Sequence, residues 1–112
     1  MHYTIDKNFN ISMTRGDSVP FAAVFKLDGQ VYELEEGDTI QFSVKAEYEN
    51  TEYAIAPKVY HENPANILIK PEDTKRLEFG TYYYDAQFVR GSDGFTITFL
   101  KKKKFKILEE VT

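Results

Sequence analysis

Cysteine is missing from this chain, and so is tryptophan. Without cysteine there are no disulfides, no thiolate metal ligands and no cysteine nucleophile. Small secreted domains without disulfides are uncommon, which turns the expectation toward the inside of a cell. Histidine is scarce. His2 and His61 lie far apart, one at the N-terminus and one in a predicted loop, so no histidine metal site or catalytic triad is suggested. No segment approaches the roughly 18 apolar residues of a membrane-spanning helix, so no membrane partner is expected. The first residues also lack the basic-then-apolar pattern of a signal peptide. Positive charge is in deficit: 14 Lys and Arg against 18 Asp and Glu give a formal net charge of −4. That balance argues against general nucleic-acid binding, which rests on neutralising phosphates.

What the chain has in quantity is strand-forming residues. Of its 112 residues, 8 are Tyr and 9 are Phe. Aromatic side chains favour the pleated, half-buried surface of a sheet. The length fits a single domain, residues 1–112, with one ordinary core. Tyr3–Ile5 reads as a short edge strand, and Phe9, Ile11 and Met13 alternate with polar residues. Thr14-Arg15-Gly16-Asp17 interrupts as a turn. Val19, Phe21, Ala23, Phe25 and Leu27 then form one apolar face, with Pro20 on the other side placing the strand's start at an edge or bulge. Asp28-Gly29 between strand residues is a strong hairpin signal. Thr39 to Glu47 alternates cleanly, with Ile40, Phe42, Val44 and Ala46 on one side. Between Tyr48 and Asn66 the pattern is weak, with a turn predicted at Asn63-Pro64. Ile67–Lys70 reads as a short buried strand, and Pro71 with its acidic followers as one short helical turn over 71–77. Thr81 to Arg90 is the predicted central strand. A hairpin at Gly91–Gly94 leads into Phe95, Ile97 and Phe99, and Phe105 and Ile107 resume the alternation after a run of lysines.

Leu77-x-x-Gly80-x-Tyr82 at the start of the central strand has the form of a tyrosine corner. In that motif the ring crosses between sheets and its hydroxyl bonds to the backbone of the preceding loop. With about seven or eight antiparallel strands at regular spacing, the expected fold is all-β: an immunoglobulin-like Greek-key sandwich.

No residues in the sequence mark a reaction, so no catalytic, metal or cofactor site is expected and the chain is not read as an enzyme. Arg15-Gly16-Asp17 spells an integrin-recognition tripeptide, but a glycine between charged residues is ordinary turn chemistry. The acidic groups Glu33/Glu35/Glu36/Asp38 and Glu47/Glu49/Glu52 lack the spacing of a calcium loop and read as solvated turns. Asp85 and its tyrosine neighbours raise carbohydrate binding as an alternative, and sugar hydrolysis would need a second carboxylate converging on a cleft. Lys101, Lys102, Lys103, Lys104 and Lys106 concentrate positive charge in an otherwise acidic chain, suited to a protein partner or to protecting a sheet edge.

Four ordered blocks carry a resemblance. They are Met13-Thr14-Arg15-Gly16-Asp17-Ser18; Leu34-x-x-Gly37-Asp38-x-Ile40-x-Phe42-x-Val44-Lys45; Ile67 to Thr74 continuing through Leu77, Gly80, Tyr82, Tyr84, Asp85 and Gln87; and Thr96–Thr98 with Phe105-Lys-Ile107 and the closing Glu110-Val111-Thr112. Together they resemble the β-sandwich modules of phage and prophage tail and baseplate proteins from Gram-positive hosts, including the N-terminal domain of the baseplate upper protein. Two departures stand out: Tyr48 to Pro64 matches no family pattern, and the lysine run replaces an expected short polar turn. The resemblance implies a virion structural or assembly role, made in the host cytoplasm and then carried in the virion. The implied partners are other phage structural proteins or further copies of the chain. The runner-up is a carbohydrate-binding module of a bacterial or phage surface protein. Arg15, Gly16, Asp17, Gly80 and Tyr82 are expected to form structural corners. Tyr83, Asp85, Lys101 and Lys103 are the candidate contact residues.

Overall fold

The computed structural model describes residues 3–48 and 52–109. Met1, His2, Glu49 and the closing Glu110-Val111-Thr112 of the fourth block lie outside them. In chain order the strands are β1 (Tyr3–Ile5), β2 (Ile11–Thr14), β3 (Val19–Ala23), β4 (Lys26–Leu27), β5 (Gln30–Val31), β6 (Thr39–Lys45), β7 (Ile55–Tyr60) and β8 (Ala65–Ile69). A one-turn helix, α1 (Pro71–Thr74), precedes β9 (Gly80–Val89) and β10 (Thr96–Leu108). One sheet has the order β1-β2-β10-β9-β6-β7; facing it is the pair β3-β8; β4 and β5 form a separate hairpin. The chain passes between the layers after β2, after the hairpin, after β7 and after α1, which is the Greek-key path of an immunoglobulin-like sandwich.

Period-two patterning builds the two layers. Ile40, Phe42 and Val44 of β6 and Tyr82, Tyr84, Ala86 and Phe88 of β9 are buried on the inner face of the large sheet. They meet Val19, Phe21 and Ala23 of β3 and Ala65, Ile67 and Ile69 of β8. Across the gap, the Phe21 ring stands edge-on to Tyr84 at 5.7 Å between centroids. Burial of these faces is the main favourable contribution to folding.

The tyrosine corner forms as expected. Tyr82 is only 8% exposed, and its hydroxyl donates to the Glu78 carbonyl at 2.8 Å. Because Glu78 itself is exposed, water can take over part of that bond. Tyr82→Phe should therefore cost about 1 kcal/mol in urea unfolding, the usual net worth of one hydrogen bond. Unchanged stability would show that the hydroxyl does not pin the corner. Asp28 (φ 51°) and Gly29 (φ 78°) both lie in the left-handed region, as a type I′ hairpin turn requires.

Several sequence readings change. First, β10 pairs with β2 in parallel, so the sandwich is not wholly antiparallel. Second, Phe9 is 45% exposed rather than facing the core. Asp6 closes a turn there, accepting from the Asn8 and Asn10 N–H groups at 2.8 and 2.9 Å, and Phe9 takes φ 65°. Third, the strand expected from Ser18 to Leu27 breaks after Ala23. The Asn63 side chain steps in, accepting from Phe25 N–H at 3.0 Å and donating to the carbonyls of Phe25 and Tyr32. Leu27 is left outside. Fourth, β8 is buried on one face only, with Leu68 43% exposed. In the stretch without family pattern, Ile55–Tyr60 forms the strand β7, at the sheet edge among the described residues, and Pro57 falls in its register shift opposite Phe42–Val44, where no ladder bond is lost.

Candidate functional site

The predicted corners converge at one end of the sandwich. Gly16 (φ 85°) lets the chain turn after β2, and the turn closes with Asp17 N–H donating to the Thr14 carbonyl at 3.1 Å. Gly16 N–H donates to the Thr74 hydroxyl at 2.9 Å. Arg15 donates to the Leu77 carbonyl at 3.3 Å and lays its guanidinium over the Phe79 ring at 4.3 Å. Gly80 follows with φ 141°, two residues before Tyr82. The Arg-Gly-Asp tripeptide thus ties the first crossover to the α1–β9 connection. Thr74, fully buried, is the linking residue that sequence reading missed.

The candidate contact residues lie elsewhere. Tyr83 and Asp85 are half-buried on the outer face of β9. Asp85 is committed locally: it accepts from Lys102 N–H at 2.7 Å and from the Tyr48 hydroxyl at 3.2 Å. The lysine run is not a turn but the middle of β10, and two bulges accommodate it. Register shifts between Thr98 and Leu100 and between Leu100 and Lys103 each admit one extra residue, and Lys102 takes φ 52°. The bulges turn Leu100 and then Lys103 toward the inner side, opposite Ala86 and Tyr84. Lys101 is exposed and Lys103 half-buried.

One acidic group departs from the solvated reading. Asp38 is 3% exposed, and its two oxygens accept from Glu35 N–H and Gly91 N–H, both at 2.9 Å. It clamps the β5–β6 turn to the β9–β10 turn. The signal for it was Gly37-Asp38 opposite Gly91, but only the folded pairing brings them together.

A concavity opens at the lateral edge where β2 stops accompanying β10. Its volume is about 440 Å³, with walls formed by Phe9, Ala22 and Val24 on one side and Phe99 and Leu100 on the other, and Lys26 at its rim. β2 pairs only with Phe105–Leu108 of β10, and β3 pairs only with β8. Among the described residues both walls are therefore strand edges without a neighbour. No carboxylate lines this groove.

A second, smaller depression of about 270 Å³ brings Glu52 and Glu78 together beside Arg76 and Tyr82. Both glutamates are exposed, whereas a general acid is set up by burial. Among the described residues no group of three or more His, Asp or Glu side chains is placed to hold a metal ion. No helix there is long and apolar enough to cross a membrane. Among the described residues the most exposed aromatics, Phe9, Tyr53, Phe79 and Phe95, come from four separate segments of the chain. Comparison with family models, with curated proteins and with solved structures gives no match for this chain.

The core beneath the groove has one polar tether. Tyr84, fully buried, donates its hydroxyl to the Phe9 carbonyl at 2.6 Å. Burial, with a smaller contribution from the Asp6 charge, pushes its ionisation well above the ordinary phenol value of 10.0. The folded state thus favours the neutral phenol. Its contribution to stability is complete below pH 10 and is lost as pH rises above it, because only the unfolded chain ionises easily there. Urea unfolding followed from pH 8 to pH 11.5 should show falling stability that flattens in Tyr84→Phe. A parallel fall in both proteins would assign the effect elsewhere.

Proposed function

We propose that this chain is a structural or assembly component of a phage tail or baseplate, working as a protein–protein docking module. The observation that carries the docking part is the open lateral edge, where an apolar groove runs between two strand edges that have no partner among the described residues. Soluble sandwiches normally shield such edges. An edge kept open beside apolar walls suits association by backbone pairing and side-chain insertion. The phage assignment rests on the ordered sequence blocks, from Met13–Ser18 through Phe105–Ile107, and on the corner residues they contribute. In this reading the protein accumulates in the host cytoplasm and then joins the virion.

The test is capture by the tagged full chain from an induced lysate of the strain carrying the gene. Mass spectrometry identifies what is bound, and light scattering after size exclusion defines its own assembly state. Tail or baseplate proteins should be recovered in fixed stoichiometry. Recovery of no virion component would overturn the reading.

A further inference from the structure

We propose that the groove between β3 and the first half of β10 accepts an extended, acid-flanked aliphatic segment of a partner protein as an added strand. This rests on the docking reading and names the chemistry of what docks.

Three observations converge. The first half of β10 pairs with β9 on one side, and among the described residues no strand lies on its other side until Phe105 meets Ile11. An incoming strand would thus extend the six-stranded sheet along the line that β2 already occupies farther down. The space beside that edge is apolar, walled by Ala22, Val24, Phe99 and Leu100, and about 440 Å³ can take a few aliphatic side chains. Every second residue of an added strand points the same way, so alternating aliphatics would fill it.

Charge selects the flanks. Lys26 stands at the groove rim, and Lys101, Lys102 and Lys103 follow directly on Leu100. Among the described residues the salt bridges are Lys58–Asp73 and Arg90–Asp93, so none of these four lysines is held by a carboxylate. Lys102 lies over the Tyr48 ring, and the Lys103 charge reaches Asp6 without an ion pair. Lys26 at the groove and the lysine stretch that continues the same strand, in a chain of net charge −4, favour acidic partners over basic ones. A nucleic acid offers the same negative charge, but it has neither a backbone that can join a strand ladder nor aliphatic side chains for the groove.

The probe is a fluorescein-labelled synthetic peptide alternating valine and threonine between two pairs of glutamates, with a lysine-flanked counterpart. Anisotropy with the full chain should show the acidic peptide binding ~10-fold or more tightly than the basic one, with affinity falling as salt rises. Amide NMR shifts should concentrate at Thr96–Leu100. Val24→Glu, which puts a like charge in the groove, should weaken binding ~10-fold. Ala22→Glu, at an exposed groove position, provides a second variant should the first fail to fold. Lys101→Glu with Lys103→Glu should reverse the peptide preference. Equal binding of the two peptides, no binding, or tighter binding of a single-stranded oligonucleotide would overturn the proposal. Should Val24→Glu or Ala22→Glu still capture virion proteins as the wild type does, docking stands and this site falls.

Discussion

Replacing Gly91 with alanine should cost about 3 kcal/mol, the upper range for forcing a methyl group into a filled space. For a domain of this size that lowers the melting temperature by about 12 °C. A Cβ at Gly91 would lie 2.3 Å from the Gly37 carbonyl carbon and 2.4 Å from its oxygen. The obstacle is backbone, so no side-chain rotation relieves it. Gly37 has little room to retreat. It holds φ 87° in a turn fixed by Asp38, whose carboxylate also binds Gly91 N–H at 2.9 Å. Separating the two glycines pulls that buried carboxylate off its donors. Gly94→Ala is the control. Its φ of 76° imposes strain, but nothing lies within 4 Å of the new Cβ, so about 1 kcal/mol is expected. Thermal melts followed by circular dichroism compare the two, and equal losses would mean that contact between the turns is not what sets the cost.

Phe25→Ala should be the most damaging core truncation, at about 4 kcal/mol in urea unfolding. The ring is stacked on Phe88 at 4.6 Å and 9° between planes. It also meets Phe99 at 5.2 Å and Tyr32 at 5.7 Å. Truncation removes all three contacts at once and leaves a cavity between the layers. Phe25 also anchors the strand break, because its backbone is held by the Asn63 amide. Phe25→Leu keeps most of the volume and should cost about 1.5 kcal/mol. A similar loss in both variants would show that ring geometry, not filled volume, governs the site.

The parts of the fold that were legible from sequence are those in which neighbouring residues settle the outcome. Alternation placed Ile40–Val44 and Tyr82–Phe88 on the inner face, and Asp28-Gly29 announced its hairpin. Gly80 and Tyr82 disclosed the corner because the motif fits within the few residues from Leu77 to Tyr82. The missed features depend on residues distant in the chain. Asn63 completes the backbone bonding of Phe25 and Tyr32, a role no local pattern encodes. Asp38 reads as one more acid in a polar turn until the fold brings Gly91 against it. The bulges in β10 escaped notice because a lysine run carries no period, and the carboxylate that secures one of them, Asp85, lies on the adjacent strand. The candidate groove was invisible for the same reason: its walls come from Ala22, Val24, Phe99 and Leu100, which have nothing in common until the layers stack.

The hairpin of β4 and β5 has a practical consequence. Its four strand residues are all exposed, and it belongs to neither main sheet. Its tip can therefore open without disturbing either main sheet, while its base stays held by Phe25, Tyr32 and Asn63. A reporter epitope spliced between Asp28 and Gly29 would ride on a part that contributes little to global folding. It would offer a handle for imaging or purification that spares both the tyrosine corner and the Asp38 clamp.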